Sequence, residues 1–264
     1  MCFVAVALNC HTDFPFIVAA NRDEYFARPS VGIHIWDAPV PFVAGKDLSA
    51  GGAWLGLSTD GRFAALTNCR SNSVASSPGA LSRGDLVRKF LEQDPEILGA
   101  TKTGDLQHDY RYGGFNLITG SIKRLGIISN TSPLTEKLTE GVKTLSNHTP
   151  ETVWPKTQFG KTKFKTIIDS NTHQNKLQSA LFRFLTDSSP LDSVKSLKDP
   201  TDHLKRVIFA RGKQYGTRAS TVILVDTNLE ATITEKIFGP SGVQTESHSI
   251  KLSLSFGSQD SYPT

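Results

Sequence analysis

The feature that most constrains this chain is how it begins. Cys2 stands directly behind Met1 and leads without a break into the apolar run Phe3–Leu8. A run of that length reads as a buried strand, so a cysteine sits at the mouth of whatever sheet the strand joins. The run lacks a basic flank and ends at Asn9-Cys10-His11, too short for a secretory leader or a bilayer span. A cysteine in second position is small enough to permit removal of Met1. The chain would then start with a thiol and a free α-amine on one residue. Such an amine has an unperturbed pKa of roughly 7.7–8.0, so near neutrality part of it is an unprotonated base beside the thiol. A nucleophile with its own base is one reading of Cys2; a small buried residue without chemistry is the other.

A second apolar run, Phe16–Ala20, follows a short polar connection at His11-Thr12-Asp13. It ends in Asn21-Arg22-Asp23-Glu24, three of them charged. A solvated turn with a surface ion pair is the ordinary account of such a cluster. If the two runs pair antiparallel, however, the end of the second lies beside the start of the first, and Arg22 neighbours Cys2. An arginine there would favour the thiolate, and a carboxylate such as Asp23 would hold the amine.

Further along, Trp54–Ser58 and Arg62–Thr67 flank Thr59-Asp60-Gly61, a hairpin signal because the turn needs positive φ. Ser71–Ala80 reads as an exposed loop and Ser82–Gln93 as a helix with Leu86, Phe90 and Leu91 on one face. Strands are expected at Phe115–Thr119, Arg124–Ser129, Thr221–Val225, Thr232–Ile237 and Ile250–Phe256. Pro155–Asp187 carries helical spacing, with Pro155 in the first turn. The lysines of this helix, Lys156, Lys161, Lys163 and Lys165, read as a solvated face, with an anion-attracting face as the alternative. Strands at both ends with helices between them predict an α+β fold, antiparallel sheets covered by helices, over residues 1–264 as one domain.

Composition excludes several classes. A net charge of +4, with no helix-turn-helix, finger or RNA-binding signature, argues against nucleic acid. Three cysteines (Cys2, Cys10, Cys69) without a CxxC suit a reducing compartment and a cytoplasmic protein. Seven scattered histidines form no HxxxH or HExxH, so no metal site is expected. Gly51-Gly52 has neither the lysine nor the spacing of a phosphate loop; it reads as a close backbone approach beside Trp54.

Cys2 with Asn21-Arg22-Asp23-Glu24 resembles the NRDE family, also called the transport-and-Golgi-organisation family. The resemblance continues through Gly51-Gly52-Ala53-Trp54-Leu55-Gly56, Leu66-Thr67-Asn68, Gly114-Phe115-Asn116-Leu117, Leu145-Ser146-Asn147 and Tyr215-Gly216-Thr217-Arg218. It is thinnest over roughly residues 160–210 and after Phe256.

The family is similar in fold to N-terminal-nucleophile hydrolases, a four-layer αββα sandwich, and to the cysteine amidases that cleave bile-salt and penicillin amides. The resemblance implies Cys2 as nucleophile, Arg22 and Asp23 as its orienting pair, Asn68 and Asn147 as oxyanion donors and Arg218 as a late substrate arginine. The amidases separate their arginine and aspartate by two residues, whereas Arg22 and Asp23 are adjacent, so Glu24 rivals Asp23. Asn21, Glu24 and Trp54 are the expected ligand-binding residues.

For function, the resemblance implies intracellular handling of a small ligand, haem or acyl-CoA and lipid, with haem as a transported ligand rather than a required cofactor. The alternative is a cysteine hydrolase of a small amide or thioester. Phe26, Trp36 and Trp54 fall near the motif segments and are expected to wall the cleft.

Overall fold

In the computed structural model, β1 (Phe3–Leu8) is buried along its whole length. Val4, Val6 and Leu8 enter one core, while Phe3, Ala5 and Ala7 enter another. A strand covered on both faces has no polar side to show, which is why it reads as an unbroken apolar run. The structure describes residues 2–69, 80–133, 135–191 and 202–256.

The remaining strands are β2 (Phe16–Tyr25), β3 (Ser30–Trp36), β4 (Phe42–Asp47), β5 (Leu55–Ser58), β6 (Arg62–Asn68), β7 (Phe115–Ser121), β8 (Arg124–Ser129), β9 (Glu136–Leu138), β10 (Gly141–Leu145), β11 (Tyr215–Val225), β12 (Glu230–Phe238) and β13 (Gln244–Ser253). The helices are α1 (Arg83–Leu91), α2 (Pro95–Thr103), α3 (Pro155–Ser170) and α4 (Gln174–Leu185). One sheet has the order β10-β1-β2-β11-β12-β13 and the other β3-β4-β5-β6-β7-β8-β9. Every named pairing in both is antiparallel.

Three cores stack in layers. Between the sheets, Val6, Phe16 and Val18 meet Leu57, Phe63 and Ile118. The outer face of the first sheet packs Phe3, Ile17 and Val222 against Phe164, Leu181 and Leu185 of α3 and α4. The outer face of the second packs Phe42, Leu66 and Leu117 against Leu86 and Phe90 of α1. The result is the α+β, four-layer αββα sandwich expected from the sequence. Among the described residues no helix is long and apolar enough to cross a membrane.

The expected strands are present, most of them longer than read. One extension matters for the site. β2 continues through the charged tetrad to Tyr25, because β11 pairs with it as far as Tyr215↔Tyr25. Asn21, Arg22 and Asp23 are buried in a strand rather than solvated in a turn.

Other features departed from the reading. Four strands, β3, β4, β9 and β10, were not expected; β3 is an edge strand with Val31 and Ile35 exposed, and β9 and β10 are only three and five residues long. The helical stretch from Pro155 divides into α3 and α4, and the Asn171 amide caps the Ile167 carbonyl at 2.7 Å where the first ends. The lysine face splits too: Lys161, Lys163 and Lys165 are exposed, but Lys156 is fully buried. The loop expected at Ser71–Ala80 lies, apart from Ala80, outside the described residues.

Candidate functional site

Pairing of β1 with β2 sets Phe3 opposite Asn21. Carried one residue further, that register sets Cys2 opposite Arg22, both on the face that looks between the sheets. They open into a cleft of about 390 Å³, lined also by Asp23, Glu24, Arg28, Asp47, Trp54, Asn68 and Arg83. Neither of the other cysteines lines it. The Cys10 thiol donates to the Leu8 carbonyl at 3.1 Å. Cys69 accepts from the Thr131 hydroxyl at 3.1 Å, and burial pushes its thiol up.

Arg22 is only 7% exposed. Its Nη2 donates to Asp47 Oδ2 at 3.1 Å and its guanidinium lies 4.6 Å from the centre of the Trp54 ring. Arg28 Nε donates to the same Asp47 oxygen at 2.6 Å. Burial raises the Asp47 carboxyl, but the Arg28 hydrogen bond and charge, the Ala50 N–H and Arg22 together hold it below the usual range.

The nitrogen of Cys2 is held from the other side, its main-chain N–H donating to Asn147 Oδ1. Ser146 Oγ donates to the Cys2 carbonyl at 2.6 Å. Segment 146–148 is in turn fixed from the second sheet. The Thr67 hydroxyl donates to the Ser146 carbonyl at 2.8 Å, and Asn116 Nδ2 donates to the carbonyls of Ser146 and His148 at 3.1 and 2.8 Å. Three separated motifs of the sequence thus converge on one residue.

The faces of β2 sort the tetrad. Arg22 and Glu24 share the Cys2 side. Asn21 turns to the helix layer, where its Nδ2 donates to the carbonyls of Leu185 and Ile208 at 2.8 and 2.9 Å and its Oδ1 accepts from Ser220. Asn21 therefore anchors β2 and does not line the cleft. Asp23 is buried on the same side as Asn21 and accepts from the Thr217 hydroxyl at 2.7 Å. Burial raises its carboxyl, opposed by the charge of Lys156, the Thr217 bond and Arg22.

Lys156 is the neighbour that sequence reasoning missed. It sits in the first turn of α3, its Nζ makes no hydrogen bond, and burial lowers its pKa against the charges of Asp23 and Cys2. Helical periodicity could mark which lysines share a face, but not which of them faces inward.

Of the remaining expected residues, Asn68 and Trp54 line the cleft. Arg218 does not. It sits at the irregularity in the β2–β11 pairing, its Nη1 donates to the carbonyls of Arg28 and Tyr25, and it thereby supports the turn that carries Arg28. Phe26 lies near Arg218 rather than in the lining. Trp36 stacks on Phe42 and packs against the core under α1, so Trp54 alone of the three expected aromatics walls the site. Gly52 does make a close approach. A Cβ there would lie 2.4 Å from the Gly84 carbonyl carbon, so the glycine lets α1 dock beside Trp54.

Arg28, Asp47 and Arg83 carried no motif. They reach the cleft only through the β2–β3 turn, the end of β4 and the start of α1.

The chain is similar to several known proteins. Residues 1–240 match the family model described as Transport and Golgi organisation 2. The mouse Transport and Golgi organization 2 homolog is 32% identical over 243 residues, covering 84% of this chain and 86% of its own. The bovine homolog is 31% identical over 260 residues, 90% of this chain and 93% of its own. Among solved structures, penicillin V acylase from Agrobacterium tumefaciens superposes with a TM-score of 0.47 at 10% identity, over 88% of this chain and 82% of that one. A Caenorhabditis elegans N-acylethanolamine-hydrolyzing acid amidase ortholog gives 0.46 at 11%, over 84% and 92%. On the extent and identity of these sequence matches, the chain belongs to the Transport and Golgi organisation 2 family.

Proposed function

We propose that the protein handles a small ligand in the Cys2 cleft, in the setting of haem or acyl-CoA and lipid traffic within the cell. One observation carries this reading: Cys2, Arg22 and Trp54 share a cleft of about 390 Å³, a size suited to a headgroup or a short acyl chain rather than to a macromolecule. An aromatic wall beside a few polar groups fits an apolar body with a polar end.

A second reading, hydrolysis of a small amide or thioester, is favoured by the hold on the Cys2 nitrogen. Once Met1 is removed, that nitrogen is the α-amine, and Asn147 Oδ1 is placed to orient it. Cys2 Sγ would add to the ligand carbonyl carbon as its proton passes to the amine. The C–N or C–S bond would then break, the leaving group taking that proton, and water would release the acid from the acyl-cysteine. Asn68, on the cleft wall, is a donor available to the oxyanion.

The test uses the full chain. Intact mass after a thiol-reactive probe reports both Met1 removal and labelling of Cys2. A panel of N-acyl amides and acyl thioesters is then assayed beside haem and acyl-CoA titrations. Turnover that Cys2→Ala abolishes and a retained Met1 blocks establishes the hydrolase. Saturable binding without turnover, intact in Cys2→Ala, establishes the carrier. Neither turnover nor binding overturns both.

A further inference from the structure

The cleft carries more positive charge than its own carboxylates absorb. Asp47 serves two guanidiniums through one oxygen, Arg22 Nη2 at 3.1 Å and Arg28 Nε at 2.6 Å. Arg22 Nη1 is left buried with no partner, on a residue that lines the cleft. Arg83 adds a third guanidinium, whose Nη1 donates to the neutral carbonyl of Gly114 at 3.1 Å. Asp23 is turned to the helix layer and sits within the field of Lys156. Asp47 and Glu24 are left to face three arginines.

The backbone adds to this. Ser82, Arg83 and Gly84 line the same wall, and Ser82 makes no side-chain cap bond to the first turn of α1. A helix start leaves its first N–H groups without intrahelical partners and carries a partial positive charge, the arrangement that receives anions. The acid of that turn, Asp85, is paired with Arg88 at 3.2 Å rather than with the cleft.

We propose that Arg28, Arg83 and the start of α1 form an anion subsite beside Cys2, which takes the carboxylate or phosphate of an acyl ligand and presents its carbonyl to the thiol. This rests on the ligand-handling role of the cleft and narrows it to acidic ligands. A planar guanidinium pair matches the oxygens of either group. The apolar body then lies along Trp54 and Leu66, which line the same cleft.

Iodoacetate and iodoacetamide, nearly equal in size and different in charge, test this on the intact chain. The ratio of their labelling rates at Cys2 is compared with that at Cys10. Electrostatic focusing predicts a preference for iodoacetate at Cys2 about tenfold above that at Cys10. It should fall severalfold in Arg83→Gln and, should that variant fail to fold, in the more exposed Arg28→Gln. Inorganic phosphate and glutarate are added as competitors, and whichever protects Cys2 at lower concentration identifies the ligand's anionic group. Equal charge preference at both cysteines, protection by neither anion and no anion-dependent rise in melting temperature together overturn the subsite.

A second readout does not use the thiol. In Cys2→Ala, phosphate or glutarate should raise the melting temperature, and Arg28→Gln added to it should remove the rise. A rise with no preferential labelling of Cys2 keeps the subsite and removes the nucleophile. Brisk iodoacetamide labelling of Cys2 without any charge effect or anion-dependent rise keeps the nucleophile and removes the subsite.

Discussion

Trp54 owes its place beside Arg22 to an atom that is missing. A Cβ on Gly45 would stand 2.2 Å from Trp54 Cη2, so the indole can lie across β4 only because that position is glycine. The ring in turn presents its face to the Arg22 guanidinium at 4.6 Å, an attraction worth about 0.5–2 kcal/mol depending on how dry the pair is. Gly45→Ala is therefore expected to push the indole out of the wall. Overpacking of this kind costs about 1–3 kcal/mol. Thermal melting should register that loss. The more telling measurement is Cys2 labelling together with ligand affinity, because both should change in a protein that still folds. Unchanged melting and unchanged labelling would show that Trp54 has another position as good as this one.

At the scale of elements, the docking of α1 fixes half of the cleft wall. Gly52 meets the backbone at Gly84, where a Cβ would lie 2.4 Å from one atom and 2.7 Å from the next. Backbone cannot swing aside as a side chain can, so Gly52→Ala should lift the first turn of α1. Anion affinity should weaken more than the melting temperature falls, because Leu86 and Phe90 hold the rest of the helix in its core. Equal loss in a control such as Leu86→Ala would mean that stability alone is being measured.

Much of this element-level picture was legible in the residues, and the gaps have physical causes. The Cys2–Arg22 opposition follows from hairpin geometry alone, since two strands with a short connection must bring those ends together. Burial of Asn21 and Asp23 was not legible, because their partners, the Leu185 and Ile208 carbonyls and the Thr217 hydroxyl, lie more than 160 residues away along the chain. Arg28 and Arg83 escaped notice because no local pattern distinguishes a cleft arginine from a solvated one. Asn116 and Thr67 were visible as motif residues, but their task of fixing the segment beside Cys2 became visible only once both sheets were in place.

Across the whole molecule, one ionisable group joins the two sheets through their shared core. Glu235 of β12 is fully buried. Its Oε2 accepts from the Thr221 hydroxyl of β11 at 2.9 Å, and its Oε1 accepts from the Ile33 N–H of β3, in the other sheet, at 2.9 Å. Burial pushes its pKa up to about 7 from 4.5, against the Thr221 and Ile33 hydrogen bonds and the charges of His248 and Arg22. The folded value lies above the unfolded one, so the folded chain keeps this proton while the unfolded chain has released it. Stability from this group is therefore greatest below about pH 4.5, falls as pH rises, and levels off above about pH 7. A shift of that size corresponds to about 3 kcal/mol. Glu235→Gln keeps an acceptor for Ile33 and removes the charge, and the Thr221 hydroxyl can turn to accept from the new amide. The variant should match the natural protein near pH 5 and exceed it progressively toward pH 8. Urea midpoints for both proteins at pH 5, 6, 7 and 8 read the difference directly. Parallel curves across that range would mean that Glu235 stays ionised in the fold and that its two hydrogen bonds outweigh the cost of burying its charge.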